Sequence, residues 1–334
     1  MTSKNAELEL GLAEILADSG FEAPAVMVSG VASTGATRRT VFIDIESGGS
    51  QQRAVAQISS AANVAVLPIS ATAEAALINL MAEAGVPVPC VLGSDDAHDA
   101  VGGSVLIAEH VDGVTIPRHV LRAVEANSPV GEHLARQCGT ALAKLHSAAI
   151  DRVPDSVPRV VEPNFFSAYV PTIVQALDHL QHSQPTFRFA AAWLEQNQPI
   201  SSCEPSLVHG DFRNGNIIVD RDGLAALLDW ELAHVGDPME DLAYLCMRTW
   251  RFGNHHRPVG GFGSIESLRD GYTEAGGEWR DDAFQWWMVA RTAWWGIGLA
   301  FQAETFTAGI SSSIVHAASG RRVVELEYDL LAML

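Results

Sequence analysis

The sequence predicts an α+β fold in two lobes: a small mixed N-lobe over residues 1–112 and a larger, mostly helical C-lobe over residues 113–334. Three observations predict it. Val41, Ile43 and Ile45 alternate with Phe42 and Asp44, the period of two expected of a strand. Beyond Pro117 the apolar spacing turns helical over residues 131–149 and 165–196, and again after residue 230. Within that helical part lies one compact β element, residues 207–230, and all eight tryptophans fall beyond residue 190.

Taken in order, residues 1–20 read as a short, acidic, amphipathic N-terminal helix or extension. The strand around Val41–Ile45 is followed by a turn-rich stretch, residues 47–52, and a second apolar run, residues 54–58, which together suit a hairpin with a loose loop. Residues 72–84 are rich in Ala and Leu, carry Glu74 in the first turn and end at Gly85, with Pro87 and Pro89 beyond. That is a capped helix. Residues 104–109 read as another strand, and a short connector, residues 107–113, joins the two lobes.

Composition narrows the function. The chain has 334 residues, a formal net charge of −19 and 48% hydrophobic residues, enough apolar mass for a sizeable core. Twenty-one basic residues with no basic run argue against a nucleic-acid partner, because phosphate neutralisation needs clustered Lys and Arg. The apolar stretch 284–301 is interrupted by Gln285 and Arg291, so no membrane association is expected. Cys90, Cys138, Cys203 and Cys246 are scattered, which suits reduced thiols rather than a disulfide framework or a zinc site. The N-terminus lacks the basic and apolar regions of a signal peptide, so a cytoplasmic location is expected. Nothing in the sequence sets an oligomeric state.

The chemistry concentrates in residues 207–231. Two apolar runs flank Asp220-Arg221-Asp222-Gly223, a hairpin signal. Antiparallel pairing about that turn puts Asn216 opposite Asp229 at the open end, with Asp211 on the loop that enters it. Two carboxylates and an amide oxygen would then converge at one sheet edge. Hard oxygen donors of this kind suit Mg²⁺ shared with substrate phosphates. A neighbouring carboxylate can accept a hydroxyl proton, and Arg213 offers a fixed charge to a transferring phosphoryl group. Asp237 before Pro238 marks a helix start. Asp241, one turn in, is expected either to hold backbone N–H groups of the loop around residues 209–211 or simply to complement the helix N-terminus.

These residues carry a resemblance. His209 to Asn216 reads HGDFRNGN, Asp229 lies in LLDWE, and residues 236–245 read GDPMEDLAYL. The chain resembles the aminoglycoside phosphotransferase-like (choline-kinase-like) family, and within it the branch that also occurs joined to acyl-CoA dehydrogenases. Residues 250–253, 258–263 and 320–331 look like that branch. The resemblance runs from about Gly30 to the end and is stronger in the C-lobe. It implies a two-lobed protein-kinase-like fold, with an antiparallel sheet in the N-lobe, and an ATP- and Mg²⁺-dependent transfer of the γ-phosphoryl group to a hydroxyl of a small molecule.

By the same resemblance Asp211 is the catalytic base, Arg213 steadies the γ-phosphate, and Asn216 and Asp229 hold Mg²⁺. His209 and Asp241 support the catalytic loop. The adenine-binding hinge spans residues 108–111, with Glu109 and Val111 as contacts. Ser33 and Thr34 belong to the phosphate-covering loop, and Glu74 matches the acid that pairs with a phosphate-binding Lys or Arg.

The N-lobe departs from that pattern. The strand position that should carry the cation is Gln57, and the chain's two lysines, Lys4 and Lys144, lie elsewhere. Residues 1–112 hold 14 acidic against 4 basic residues, a net of −10. Arg38, Arg39 or Arg53 could replace the missing charge; the simpler expectation is that all three are exposed surface arginines. On the acceptor side Trp287, Arg291 and Trp294 share a helical face. With Trp250 they read either as a pocket for an apolar alcohol or as core between helices. Three functions follow: a kinase acting on a hydroxyacyl-CoA or similar metabolite, an antibiotic-modifying kinase, or a catalytically weak pseudokinase that binds nucleotide or metabolite.

Overall fold

The computed structural model describes residues 2–32, 38–60, 69–126, 128–160, 165–200 and 203–334. It divides into two compact units. One comprises Met1–Val114, Ala148–Pro158 and Asn216–His234; the other comprises Thr115–Ser147, Arg159–Gly215 and Val235–Leu334.

The first unit is built on a five-stranded antiparallel sheet of order β1-β2-β3-β5-β4. Its strands are β1 (Ala25–Val31), β2 (Arg39–Ser47), β3 (Ser50–Ser60), β4 (Val91–His98) and β5 (Gly103–Glu109). Strands β1 and β4 give no clean alternation in the sequence and were not expected. The β2–β3 hairpin is tighter than expected: Ser47 pairs with Ser50 across Gly48 and Gly49, both at positive φ. Two left-handed residues make the turn whose twist matches the strands, and only glycine adopts that conformation cheaply there.

Helix α1 (Thr2–Asp18) presents Leu8, Leu12, Ile15 and Leu16 to one face of the sheet. There they meet Val41, Ile43, Ile45, Ala54, Ala56 and Ile58, all buried. Each of the Val, Leu and Ile side chains contributes roughly 1.5–3 kcal/mol on full burial. Helix α2 (Ala71–Glu83) starts at Ser70, whose hydroxyl accepts the Ala73 N–H. It ends with Gly85 at φ +74, and Val86 N–H reaches back to the Met81 carbonyl, a glycine-closed C-terminus.

The first unit also contains the β7–β8 hairpin, β7 (Ile217–Asp220) and β8 (Gly223–Leu227). Its register corrects the sequence reading. Ile217 pairs with Leu227 and Ile218 with Ala226, but Val219 pairs with Leu224 across a bulge. The turn is tighter than expected, since Asp220 pairs with Gly223, and by itself would set Asn216 opposite Leu227. The extra residue of the bulge shifts the open end by one, so the Asn216 carbonyl receives the Leu228 N–H and Asn216 does not stand opposite Asp229. A bulge places two residues of one strand against one of the other.

The second unit is mostly helical. It contains α3 (Pro117–Ala126), α4 (Ser128–His146), α5 (Phe165–His179), α6 (Pro185–Gln196), α7 (Met239–Cys246), α8 (Ile265–Glu274), α9 (Asp281–Thr307) and α10 (Ile314–Met333). The short strand β6 (Ser206–Val208) pairs with β9 (His234–Gly236), not with the β7–β8 hairpin. The expected compact β element is thus two separate two-stranded pieces.

Helices α4 and α8 approach closely through glycines. A Cβ on Gly139 would stand 2.2 Å from the Leu268 carbonyl, and one on Gly271 would stand 2.0 Å from the Arg136 carbonyl. Long helix α9 packs against α10, α7 and α6. No helix among the described residues is long and apolar enough to cross a membrane.

Candidate active site

In the second unit the loop that leaves β6 carries His209, Asp211 and Arg213, and each is fixed by a different partner. The Asp241 carboxylate, on the first turn of α7, accepts the N–H of His209 at 2.8 Å and of Gly210 at 2.9 Å. His146 on α4 reaches the same carboxylate at 3.3 Å and bonds Tyr272 at 3.0 Å through its other nitrogen. Burial by itself would raise the Asp241 carboxyl. The His146 hydrogen bond, the charges of His146 and His209 and the His209 N–H outweigh it and hold the group below the ordinary carboxylate range. His209 is fully buried, and its Nδ1 accepts the Asp211 N–H at 3.2 Å.

Helix α7 is aimed at this loop by its own start. The Asp237 carboxylate accepts the Met239 N–H at 2.8 Å and pairs with buried Arg280. A carboxylate at that position satisfies an N–H that the helix leaves open.

Asp211 keeps a partly exposed carboxylate. Arg213 Nε lies 3.1 Å from Oδ1 and 3.3 Å from Oδ2, and its guanidinium stacks over the Trp250 ring at 4.7 Å. Gly215, at φ +120, leaves room for this: a Cβ there would stand 2.7 Å from Arg213 Nη1. The loop is held further by the Asn214 amide donating to the Gly260 carbonyl at 2.7 Å and by the Thr115 hydroxyl donating to the Gly215 carbonyl at 3.0 Å. Beneath it lies Tyr244, fully buried, whose phenol is pushed well above its ordinary range by burial first and then by the Asp211 carboxylate.

On the tryptophan face the structure gives burial and contacts. Trp250, Trp287 and Arg291 are buried and Trp294 is half-buried. Trp287 packs edge-on against Tyr169 and Trp286. Arg291 Nη1 pairs with Glu240 at 2.9 Å, its Nη2 donates to the Gly210 carbonyl at 2.6 Å, and its guanidinium lies over the rings of Tyr244 and Trp294. Gly210 is therefore held at its N–H by Asp241 and at its carbonyl by Arg291. Glu240, His146 and Tyr244 carry no signal in the sequence, because no local pattern marks a partner more than thirty residues away.

In the first unit the correction concerns charge. Arg38 is buried, against the expectation of an exposed arginine. Its Nη1 is 2.7 Å from Glu74 Oε2 and its Nε is 3.2 Å from Glu231 Oε2. Burial would lower the Arg38 guanidinium, but Glu74, Glu231 and Asp229 outweigh it and raise it, so it stays charged. The Glu74 carboxylate also accepts the Trp230 N–H at 3.2 Å. Asp229, at φ +69, sits within the field of both Arg38 and Glu74. Arg39 is exposed, and Arg53 is exposed and paired with Asp112 at 2.7 Å, as expected of surface arginines.

Gln57 lies on β3 opposite Thr40, with its amide oxygen 3.5 Å from Arg38 Nη1. Asn216 is buried at the mouth of the β7–β8 hairpin. With Asp229 it offers one amide and one carboxylate oxygen, a hard donor set that suits Mg²⁺ and leaves other positions for phosphate oxygens. At the end of β5 the Glu109 N–H donates to the Cys90 carbonyl at 2.8 Å, and Val111 follows. Ser33 and Thr34 lie outside the described residues.

The chain is similar to known proteins of two kinds. Mouse acyl-CoA dehydrogenase family member 10 is 29% identical over 179 residues, 51% of this chain and 16% of that protein. Chicken acyl-CoA dehydrogenase family member 11 is 32% identical over 165 residues, 48% of this chain and 21% of that protein. The chain thus spans about a fifth of the length of these relatives.

Among solved structures, a Ralstonia eutropha protein described as an aminoglycoside phosphotransferase superposes with a TM-score of 0.70 at 19% identity, covering 95% of both chains. The GDP complex of aminoglycoside 2'-phosphotransferase-IIIa gives a TM-score of 0.63 at 12% identity, covering 96% of this chain and 99% of the other. A thermostable mutant of aminoglycoside phosphotransferase APH(4)-Ia, crystallised with AMP-PNP and hygromycin B, gives 0.58 at 17% identity, covering 96% and 98%. At these identities the likeness is one of fold, the two-lobed kinase-like fold that the motifs implied. Residues 28–284 match the phosphotransferase enzyme family, and the chain belongs to that family.

Proposed function

We propose that the protein transfers the γ-phosphoryl group of ATP, with Mg²⁺, to a hydroxyl of a small molecule. The observation that carries this reading is the Asp211 carboxylate, partly exposed on a loop whose backbone is fixed by Asp241 and Arg291. A base held in one place can take the acceptor hydroxyl's proton as the oxygen attacks phosphorus. Arg213, paired with Asp211, orients that carboxylate and carries a positive charge beside it. Asn216 and Asp229 would hold Mg²⁺, which when bound neutralises charge on the phosphate oxygens. The Glu109 and Val111 backbone would meet adenine, as the family resemblance implies.

Two lines of likeness suggest different acceptors. The dehydrogenase relatives favour a hydroxyacyl-CoA or similar metabolite as the first acceptor to test. The structural neighbour crystallised with hygromycin B favours an antibiotic. A binding module without strong turnover is favoured by one observation, the amide of Gln57 on the strand where a cation is expected.

The test is calorimetric titration with ATP, with and without Mg²⁺, followed by turnover of Asp211→Asn on a hydroxyacyl-CoA panel. Mg²⁺-dependent binding with turnover lost in Asp211→Asn supports the reading. Equal turnover in the variant removes Asp211 as base. Mg²⁺-dependent binding with no turnover on any acceptor leaves the binding module.

A further inference from the structure

Strand β3 offers no cation at Gln57, yet Glu74 on α2 is not left facing an amide alone. The residue immediately before β2, Arg38, turns inward and fills the place. Among the described side chains of the first unit it is the one buried cation. Arg39 is exposed, and Arg53, Arg152 and Arg221 are 59%, 52% and 92% exposed and paired with Asp112, Glu83 and Asp222. Three carboxylates, those of Glu74, Glu231 and Asp229, bear on this one guanidinium.

The contacts of Arg38 run through Nη1 and Nε. Among the described residues Nη2 makes no hydrogen bond, so two N–H donors of the fork remain. A phosphate oxygen arriving with a divalent cation at Asp229 comes within the field of Arg38. The guanidinium can meet it with those donors while Glu74 and Glu231 hold the fork's orientation.

We propose that Arg38 is the cation that meets the nucleotide's phosphate chain in this protein, displaced from the middle of β3 to the residue that precedes β2. The inference rests on the reading that the protein binds ATP. It adds which side chain anchors the phosphates and why Gln57 is tolerated.

The experiment uses the full chain. Mg²⁺-ATP and adenosine are each titrated calorimetrically into the parent, Arg38→Gln, Arg38→Lys, Gln57→Lys and the swap Arg38→Gln/Gln57→Lys, with thermal unfolding recorded for each. Adenosine lacks phosphates, so a residue that only supports the fold moves both ligands alike. Arg38→Gln is expected to weaken Mg²⁺-ATP about ten- to hundredfold, the loss of one charged contact, and to leave adenosine within about twofold. Arg38→Lys recovers part of the loss, and the swap recovers more than Arg38→Gln alone. Gln57→Lys by itself gives no gain, because its ammonium would stand beside Arg38.

Equal weakening of both ligands in Arg38→Gln, or none, overturns the proposal and leaves Arg38 as the counter-charge of Glu74 and Glu231. So does a gain of more than about tenfold in Gln57→Lys with Arg38→Gln neutral. If Arg38→Gln does not fold, Arg38→Lys decides: weakening of Mg²⁺-ATP with adenosine kept supports the proposal, and weakening of both ligands alike overturns it. A parent that binds neither ligand defeats the phosphotransferase reading itself, whereas a parent that binds ATP through an indifferent Arg38 defeats this inference alone.

Discussion

Replacing Asp241 by Asn changes one atom type in a fully buried side chain and tests how the catalytic loop is held. The carboxylate accepts two backbone N–H groups, from His209 and Gly210, and faces His146 Nε2. An amide keeps one oxygen and turns an NH₂ toward a second donor. One buried N–H is then unsatisfied, at about 1–3 kcal/mol, and the surviving bond drops from charged to neutral strength, about 1 kcal/mol more. The total is about 2–4 kcal/mol. Expressed as local opening, this speeds amide exchange at His209 and Gly210 roughly 30- to 1000-fold. Hydrogen–deuterium exchange of a peptide covering residues 207–213, with one from β2–β3 as control, reads it directly. Exchange at the loop unchanged within about threefold, in a folded variant, would show that Asp241 does not carry the loop, and the two-sided clamp on Gly210 would be wrong.

Acid should act on the same clamp. Because the folded Asp241 pKa lies below its unfolded value of about 3.9, its contribution is fully present above that value and is lost as pH falls through the lower, folded value. Loop exchange corrected for intrinsic rates should therefore match at pH 5 and pH 7 and rise only below about pH 4; a rise between pH 7 and pH 5 would contradict the assignment. Arg291→Met should cost about 3–5 kcal/mol, since buried Glu240 loses its ion-pair partner. Arg291→Met/Glu240→Leu should cost less in chemical denaturation than the single change, and a double variant worse than the single one would refute the pairing. Gly271→Ala should destabilise by about 1–3 kcal/mol in the same assay, because its Cβ meets the Arg136 carbonyl where α4 and α8 cross. A neutral result would mean that those helices separate freely.

Much of the architecture was legible from neighbours along the chain. The alternation of Val41, Ile43 and Ile45 with Phe42 and Asp44 identified β2, and Glu74 and Gly85 bracketed α2. Asp237 before Pro238 marked the start of α7, while Asp241 one turn later stayed open between holding the loop and complementing the helix N-terminus until the His209 and Gly210 N–H contacts were seen. The motif around Asp211 was recognisable because its residues are adjacent in sequence. What failed was any inference that depended on distant pairing or on register. In the β7–β8 hairpin the turn closes one residue earlier than expected, Asp220 on Gly223, and a bulge then shifts the strand by one, so Asn216 meets Leu228. Strands β1 and β4 were missed because neither alternates cleanly, and pairing with β2 and β5 decides them.

The sequence by itself determined the α+β class, the family of the chain and the loop that bears Asp211, because periodicity, caps and short motifs are encoded within a few residues. Only the tertiary structure decided where charge is spent. Arg38 meets Glu74 and Glu231 across 36 and 193 positions, and Arg291 meets Glu240 across 51. A buried charge is tolerable only beside a partner of opposite sign, and which partner reaches it depends on the path of the folded chain rather than on the residues next to it.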